Sequence, residues 1–548
     1  MPRPGKYQHN RMPILQTKNY KDFTIVKDTS SSEILVSFSD YRKANKCLHG
    51  DEVVWENEKC VLKKRAKYGQ IVGTIEFTSK YLYGHTSNGN KIYLFQPLNA
   101  AFPPMRVGCS EKDTSVNRIA LVEFVDWAES DHITRAHLIR LLGPSGSMNS
   151  ELEALRWRYG FPQLSKLKFD VDTTNTYIDN MYRRLIDSTH TINIDPNGCK
   201  DIDDLVTIRQ ANNTQYDIII TISDVSEYIK EDSVGDVLAS QKGQTLYEDG
   251  VAVVPMFPAE MSEDSFSLLP GRERLGVSLY YLWDTETKDL SMIEIAETRV
   301  INNRSYTYES IAGATDFPIN ILKDVASHLK GEETNDPHEW VEQLMLAYNK
   351  EVAKVLVEAK GGLLRSHKPA DKEKLERYTK IHADLVGLAF EAAKYVSSSD
   401  NQDVPVPVHA ALGSVPYAHA TSPIRRYADL VNQRVLKNVL RVNDISPCDL
   451  SLAQRLNARQ KDAKEHDRYV FFLKQIIDTP VGTKRCIVLE DTTVKTKVYV
   501  ASWKRMISVK KQKDSTDTFL PGEFLFLEYY SDMKKPHWKD RMVTRLRR

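Results

Sequence analysis

Long apolar runs are missing from this 548-residue chain, which nowhere approaches the roughly eighteen consecutive apolar residues of a membrane-spanning helix. The opening segment "MPRPGKYQHNRMPILQTKNYK" has no apolar stretch of the secretory kind, and its prolines spoil the helix of an organellar presequence. A cytoplasmic protein without a membrane partner is expected. Cysteine is scarce: Cys47, Cys60, Cys109, Cys199, Cys448 and Cys486 are scattered without a C-x-x-C pair. That excludes a zinc ribbon and a disulfide framework, and reads as reduced, structural thiols. No excess of charge of one sign is present either, with 75 Lys+Arg against 74 Asp+Glu, so any nucleic-acid footprint must be local. Repeats of 20–50 residues and low-complexity tracts are also lacking, which excludes solenoids and disordered arrays.

What is present is length enough for three to five domains. Residues 1–21 carry five Lys/Arg and no acid and read as a basic flexible arm. From 22 to 144 come short alternating runs such as "FTIVKD", "DEVVWE", "QIVGTIEF" and "RIALVEFVDW", spaced as in small β-barrels. Two barrels fit, 22–65 and 66–144, divided at the basic stretch "LKKRAKYG". The segment "LLGPSGSMNSE" reads as a linker leading into a helix. Residues 150–475 mix strands ("HTINI", "YDIIITIS", "LGVSLYYLW") with long amphipathic helices, as in a large α/β domain. From 476 to 548 the pattern returns to strands, giving a C-terminal barrel of the OB type. The fold class is multidomain α+β.

Chemistry concentrates in "DPNGCKDIDD" (195–204), which puts Asp195, Asp201, Asp203 and Asp204 on a loop between "TINI" and "DLVTI". Two carboxylates about 4 Å apart repel by roughly 4 kcal/mol at an effective dielectric near 20, so a fold that gathers four needs a positive partner. An exposed acidic turn is the bland alternative. A calcium loop of the EF-hand type fails, because Lys200 falls where the glycine belongs and Val206 where the bidentate Glu belongs. A magnesium site with room for substrate phosphate is the third reading. "YAHATSPIRRYADL" (417–430) puts Arg425 and Arg426 on a Pro-Ile turn before a helix, which reads either as the phosphate clamp that such a site requires or as an ordinary helix start with solvent arginines.

Together the two segments resemble the RNase II/RNase R (RNB) family of exoribonucleases, which carries an Asp, five residues, then Asp-x-Asp-Asp, and later Thr-Ser-Pro-Ile-Arg-Arg-Tyr-x-Asp. "ISDVSEYIKEDS" (222–233) and "TLYEDGVAVVPMFPAEMSEDSFSLLPGRERLGVSL" (245–279) are similar to further family stretches, and "DYRKANKCLHGDEVVWE" (40–56) to its first cold-shock domain. The organisation is most like eukaryotic or viral members that lack an N-terminal endonuclease domain. The resemblance implies two cold-shock barrels, an RNB catalytic domain and a terminal OB barrel. It further implies processive 3′-to-5′ hydrolysis of single-stranded RNA to nucleoside 5′-monophosphates by a two-metal-ion mechanism. In that reading Asp195, Asp201 and Asp204 hold Mg²⁺ or Mn²⁺, Asp203 is tied to the chemical step, Arg425 offsets phosphoryl charge, and Tyr247 stacks near the terminal bases. The partner is single-stranded RNA with a free 3′ end, met by a monomer, with a helicase or adaptor as an open question. Departures from the family pattern are Ala418, Ala420, Gln433 and Phe266, none of them a carboxylate.

The terminal barrel has its own RNA-binding chemistry, with nine Lys/Arg against two acids between Lys484 and Lys513, interleaved with Tyr499 and Trp503. Arg426, Trp503, Lys504 and Arg505 are therefore the expected RNA contacts beyond the reaction centre. A catalytically silent RNA-binding protein on the same fold is the competing function, and retention of all four aspartates and Arg425 favours the enzyme.

Overall fold

The computed structural model describes residues 12–27, 33–159, 183–315, 317–398, 406–448, 450–511, 517–533, 535 and 538–548. The chain divides into two compact units, one formed by 1–162 with 464–548 and the other by 163–463.

The first unit is built from three small β-structures. Ile14–Thr17 opens a five-stranded antiparallel sheet that runs to Lys64. This shortens the basic arm expected over 1–21: Leu15 and Thr17 alternate inward and Thr17 pairs with Phe23, so hydrophobic alternation outweighs the local positive charge. The rest of that arm, 1–11, lies outside the described residues. Asp51, fully buried, ties this sheet to the next segment by accepting from the Leu48 and Ala66 amides and pairing with Arg65 at 2.6 Å. Five strands between Ile71 and Pro144 then close into a barrel around Ile75, Phe95, Met105 and Val107. Its last strand reaches Pro144, so residues 141–144 of the expected linker are paired backbone. A third, five-stranded antiparallel sheet spans Val481–Arg547.

The second unit centres on a seven-stranded sheet. In spatial order its strands are Arg184–Ile186, Leu290–Ile301, Glu273–Asp284, Gln215–Ser223, Asp204–Gln210, Thr191–Asp195 and Arg304–Thr307. The inner pairings are antiparallel, and both edge strands join in parallel. Because side chains alternate along a strand, Ile218, Ile220 and Ile222 point to one face and Ile219 to the other. The first face is covered by helices Ile319–Lys330 and Pro337–Ala359 through Leu322, Val325, Leu344, Val352 and Leu356. The strands packed under these helices end in the residues on which the acidic loop is mounted. Among the described residues, no helix is long and apolar enough to cross a membrane.

Candidate functional site

Asp195 is the last residue of one central strand and Asp204 the first of its antiparallel neighbour, so the loop between them is held at both ends by the sheet. Gly198, at φ +82°, makes the turn that brings the chain back, and the Cys199 amide closes it on the Pro196 carbonyl. The buried Ser267 hydroxyl then donates to the Lys200 carbonyl (2.7 Å) and accepts from the Ile202 amide (3.0 Å). Ile202 anchors the loop in the core, only 3% exposed, and the next two residues are thereby aimed along the sheet edge.

Asp203 is buried yet doubly bonded: its carboxylate accepts from the Ile424 amide and from the Arg425 Nε, both at 3.0 Å. The acidic loop thus meets the arginine turn, 221 to 222 residues later in the chain, in direct contact. Arg425 keeps 47% of its side chain exposed and also donates to the Ser422 hydroxyl at 3.1 Å, so one face of its guanidinium remains available. Burial raises the Asp203 carboxyl to about 7, even though Arg425 and the Ile424 amide act against the shift. Asp204 is pushed well above its ordinary value by burial and then by repulsion from Asp195 and Asp203. Asp195 moves the same way through burial, opposed by a 2.8 Å hydrogen bond from Asn193 and by Arg425. Asp201 accepts from the Tyr247 hydroxyl at 3.0 Å.

Tyr247 lies on a two-stranded hairpin, Leu246–Glu248 with Val251–Val254. The hairpin's approach is laced to the arginine turn: the Thr245 amide donates to the Arg425 carbonyl and the Tyr427 amide to the Gly243 carbonyl. The four aspartates, Arg425 and Tyr247 therefore form one constellation. The departures from the expected pattern are accommodated by packing. Gln433 accepts from the Ser226 amide (3.0 Å) and donates to the Ser223 carbonyl (2.8 Å), while Phe266 stands edge-on to Phe257 and Ala418 and Ala420 are buried.

The other expected RNA contacts lie elsewhere. Arg426 is turned inward: it pairs with the buried Asp429 at 2.7 Å, because the second guanidinium of the turn is needed to neutralise that carboxylate. Trp503 is corrected from surface to core. It is 6% exposed and packs with Phe472 and Tyr529 under the terminal sheet. Arg505 is paired with Asp467 at 2.9 Å and lies over the Phe471 ring, whereas Lys504 is exposed.

Two features went unread in the sequence. Tyr308, raised to about 12 by burial and then by Asp195 and Asp204, stacks on His338 with ring centroids 3.7 Å apart, lining the carboxylate cluster with an aromatic pair. Its signal was faint, a tyrosine just after the edge strand that pairs with the one ending in Asp195. The second is a separate acidic group, Asp224, Glu227 and Glu297, close enough together to suggest a metal site. Its charges are already matched by Arg183, Lys437 and Arg441, at 2.6–2.9 Å. Burial pushes the Asp224 carboxyl up, but Lys437 and Arg183 outweigh it and bring it to about 2. That cluster is a closed ion network.

The cluster on the aspartate loop is the opposite case. Of the four aspartates only Asp203 is paired with Arg425, and among the described residues no hydrogen bond or ion pair reaches the Asp204 carboxylate. Hard oxygen donors with a deficit of positive charge fit a divalent cation.

A mixed sheet bearing such a loop, accompanied by one closed five-stranded barrel and two five-stranded sheets in place of the further barrels expected over 22–65 and 476–548, defines the class: an RNB domain with OB-type modules. The family model described as the RNB domain matches residues 183–318 and 313–442, and the Dis3-like cold-shock domain 2 matches 92–160. The RNB-domain match runs over residues 183–442, just under half of the chain. The chain is similar to the human "Exosome complex exonuclease RRP44" (Homo sapiens), 24% identical, with 79% of this chain and 55% of that protein covered. It spans about half the length of the curated relatives it matches. In fold it resembles Mycoplasma genitalium RNase R in complex with ribose-methylated single-stranded RNA (TM-score 0.74, 16% identical, 97% of this chain and 100% of that one). It also resembles yeast Ssd1, described as a pseudonuclease (TM-score 0.68, 15% identical, 95% and 80%).

Proposed function

We propose that the chain is a 3′-to-5′ exoribonuclease that hydrolyses single-stranded RNA to nucleoside 5′-monophosphates, one terminal residue after another. The observation that carries this reading is the charge imbalance at Asp195, Asp201, Asp203 and Asp204, set against a neighbouring acidic cluster that is fully neutralised. A fold that can balance two buried carboxylates and a third partly buried one with its own cations, and leaves four others underbalanced, keeps the second site for a ligand that brings positive charge.

The carboxylates of Asp195, Asp201 and Asp204 would hold Mg²⁺ or Mn²⁺, two ions in the full arrangement, which supply water activation and neutralisation of phosphoryl charge when bound. The chain's own residues do the rest. Arg425 presents the exposed part of its guanidinium to the phosphodiester, where donors matter most as negative charge grows. Asp203 holds that guanidinium through Nε, and with the Ile424 amide it fixes the turn against the loop. Tyr247 orients Asp201 by its hydroxyl and offers its ring to the terminal nucleotide.

The likeness to a pseudonuclease makes a silent RNA-binding protein the second reading. Intact aspartates with a paired Arg425 favour catalysis over it. The deciding experiment is incubation of end-labelled single-stranded RNA with Mg²⁺ or with EDTA, resolving products by length. Mononucleotide released only with the metal supports the enzyme, and binding without any metal-dependent product supports the silent reading.

A further inference from the structure

Helix Pro337–Ala359 reaches both parts of the site's frame through two neighbouring buried residues. Tyr348 donates its hydroxyl to the Val277 carbonyl (3.1 Å), in a central strand of the seven-stranded sheet. Asn349 turns instead to the segment that runs into the arginine turn. Its Oδ1 accepts from the Ala420 amide at 2.7 Å, and its Nδ2 donates to the Tyr417 hydroxyl at 3.0 Å and to the Thr421 hydroxyl at 3.3 Å. One acceptor and two donors are used at once, a set that a carboxamide supplies and that neither an aliphatic chain nor a hydroxyl can. Ala420 is buried but has only a methyl group to anchor the segment with, so its backbone amide is the point of attachment. From there the path to Arg425 is short. Ser422, two residues on, accepts from Arg425 Nη2 (3.1 Å), and its own amide is fixed by the buried Asp429 (2.8 Å).

We infer that Asn349 is a positioning residue for phosphodiester cleavage, acting through Arg425. The sheet carries Asp195 and Asp204 at its strand ends, and Tyr348 and Asn349 tie that sheet and the arginine segment to one helix. The pair thereby sets where the Arg425 guanidinium stands against the Asp203 carboxylate, 3.0 Å away. The inference rests on the exoribonuclease reading above and adds to it a residue that carries no charge and is itself buried. Misplacing by about 1 Å a group that must meet the reacting phosphate costs on the order of 10² in rate.

The test uses the full chain and a 3′-labelled oligouridylate, reading single-turnover release of mononucleotide at saturating enzyme with Mg²⁺, binding in EDTA, and the urea midpoint. Asn349→Ala should lower the rate by about 10² with affinity unchanged. Asn349→Asp still accepts from the Ala420 amide and lets both hydroxyls donate to it, so it should keep a near-wild-type rate. The readout that a purely structural residue would not move is the cycle with Arg425→Ala. Once the guanidinium is removed its position no longer matters, so adding Asn349→Ala should lower the rate no further. Losses that multiply overturn the inference, as do a wild-type rate in Asn349→Ala and a loss confined to affinity. If the urea curve shows that the alanine variant does not fold, Tyr417→Phe decides in its place, since it keeps the ring and removes one of the three bonds. Its smaller loss should likewise vanish in the Arg425→Ala background, and a wild-type rate or a multiplying loss overturns the inference. Any of those results beside a cleaving wild type overturns Asn349 alone, whereas a wild type that releases no mononucleotide removes the exoribonuclease reading and its positioning residue together.

Discussion

Asp203 is the most buried aspartate of the site, and its carboxylate is doubly bonded. Its carboxyl stands at about 7 in the fold against an ordinary 3.8. A carboxyl raised in this way stabilises the fold while protonated, so its contribution is complete below pH 3.8 and is lost as the pH rises to about 7. Asp195 and Asp204 act with the same sign. His409 acts oppositely: burial lowers it from 6.5 to about 4, so its contribution is present above pH 6.5 and lost on acidification. Comparing wild type with Asp203→Asn separates the two. In EDTA near pH 8 the Asn variant should melt higher, by an amount on the order of a few kcal/mol in stability, and near pH 4 the two should coincide. Mg²⁺ should raise the wild-type melting point at pH 8 more than at pH 5, and equal melting of the two proteins at pH 8 would remove the carboxylates as its source. The same substitution should stop RNA cleavage while leaving binding largely intact. Arg425→Ala addresses the other half of the contact: loss of one donor to a developing oxyanion costs about 2.7–4 kcal/mol, or 10²–10³ in rate. Single-turnover rates should fall by that factor and affinity only modestly, and a purely affinity-based defect would reassign Arg425 to substrate binding.

At the scale of elements, the helix Tyr427–Leu440 is what keeps the arginine turn at the acidic loop, and the closed ion network is how it is held. Lys437, 5% exposed on that helix, donates to Asp224 at 2.7 and 2.9 Å and to Glu227 at 2.7 Å. Removing one partner from a buried network leaves uncompensated charge and costs about 3–5 kcal/mol. Lys437→Met should therefore lower the urea midpoint markedly, and an unchanged midpoint would mean that Arg183 and Arg441 suffice. This network shows where sequence reading stops. The acidic loop was legible because its residues are neighbours in the chain, and a fixed spacing of acids carries its own physical meaning. Arg425 was legible through its turn and the helix that follows. The partners of Asp224 lie 41 residues before it and 213 after it, a pairing that only the sheet order creates. Likewise, composition singled out Trp503 beside Lys504 and Arg505, but Trp503 lies on a short 3₁₀ turn, Ala501–Trp503, that packs under the sheet, whereas strand parity turns Phe524 and Phe526 outward. Arg426 illustrates the same limit, since adjacent arginines on a turn diverge and only one can face the aspartates.

For the molecule as a whole, the proposed activity meets a recessed site, whose accessibility would select the form of RNA able to react. Asp203 is 3% exposed and Asp204 only partly exposed, with the Tyr308–His338 stack and the Tyr247 hairpin beside them. Carboxylates recessed in this way cannot approach a phosphate in the middle of a rigid duplex, whose backbone is held on a wide helical surface. A flexible, unpaired end can be threaded to them, and its bases can stack on aromatic side chains without regard to sequence. A 3′-labelled single strand should therefore yield labelled mononucleotide from the first turnover. A duplex with a 3′ overhang should be shortened through the overhang, and a blunt duplex should be cut much more slowly. A covalently closed RNA of the same sequence has no end to deliver and should survive, even at enzyme concentrations that consume the linear form. Gel analysis of the linear and circular RNAs in one reaction makes the comparison internal. Internal cutting of the circle would mean that the recessed carboxylates are reached by another route, and the requirement for a free 3′ end would have to be given up.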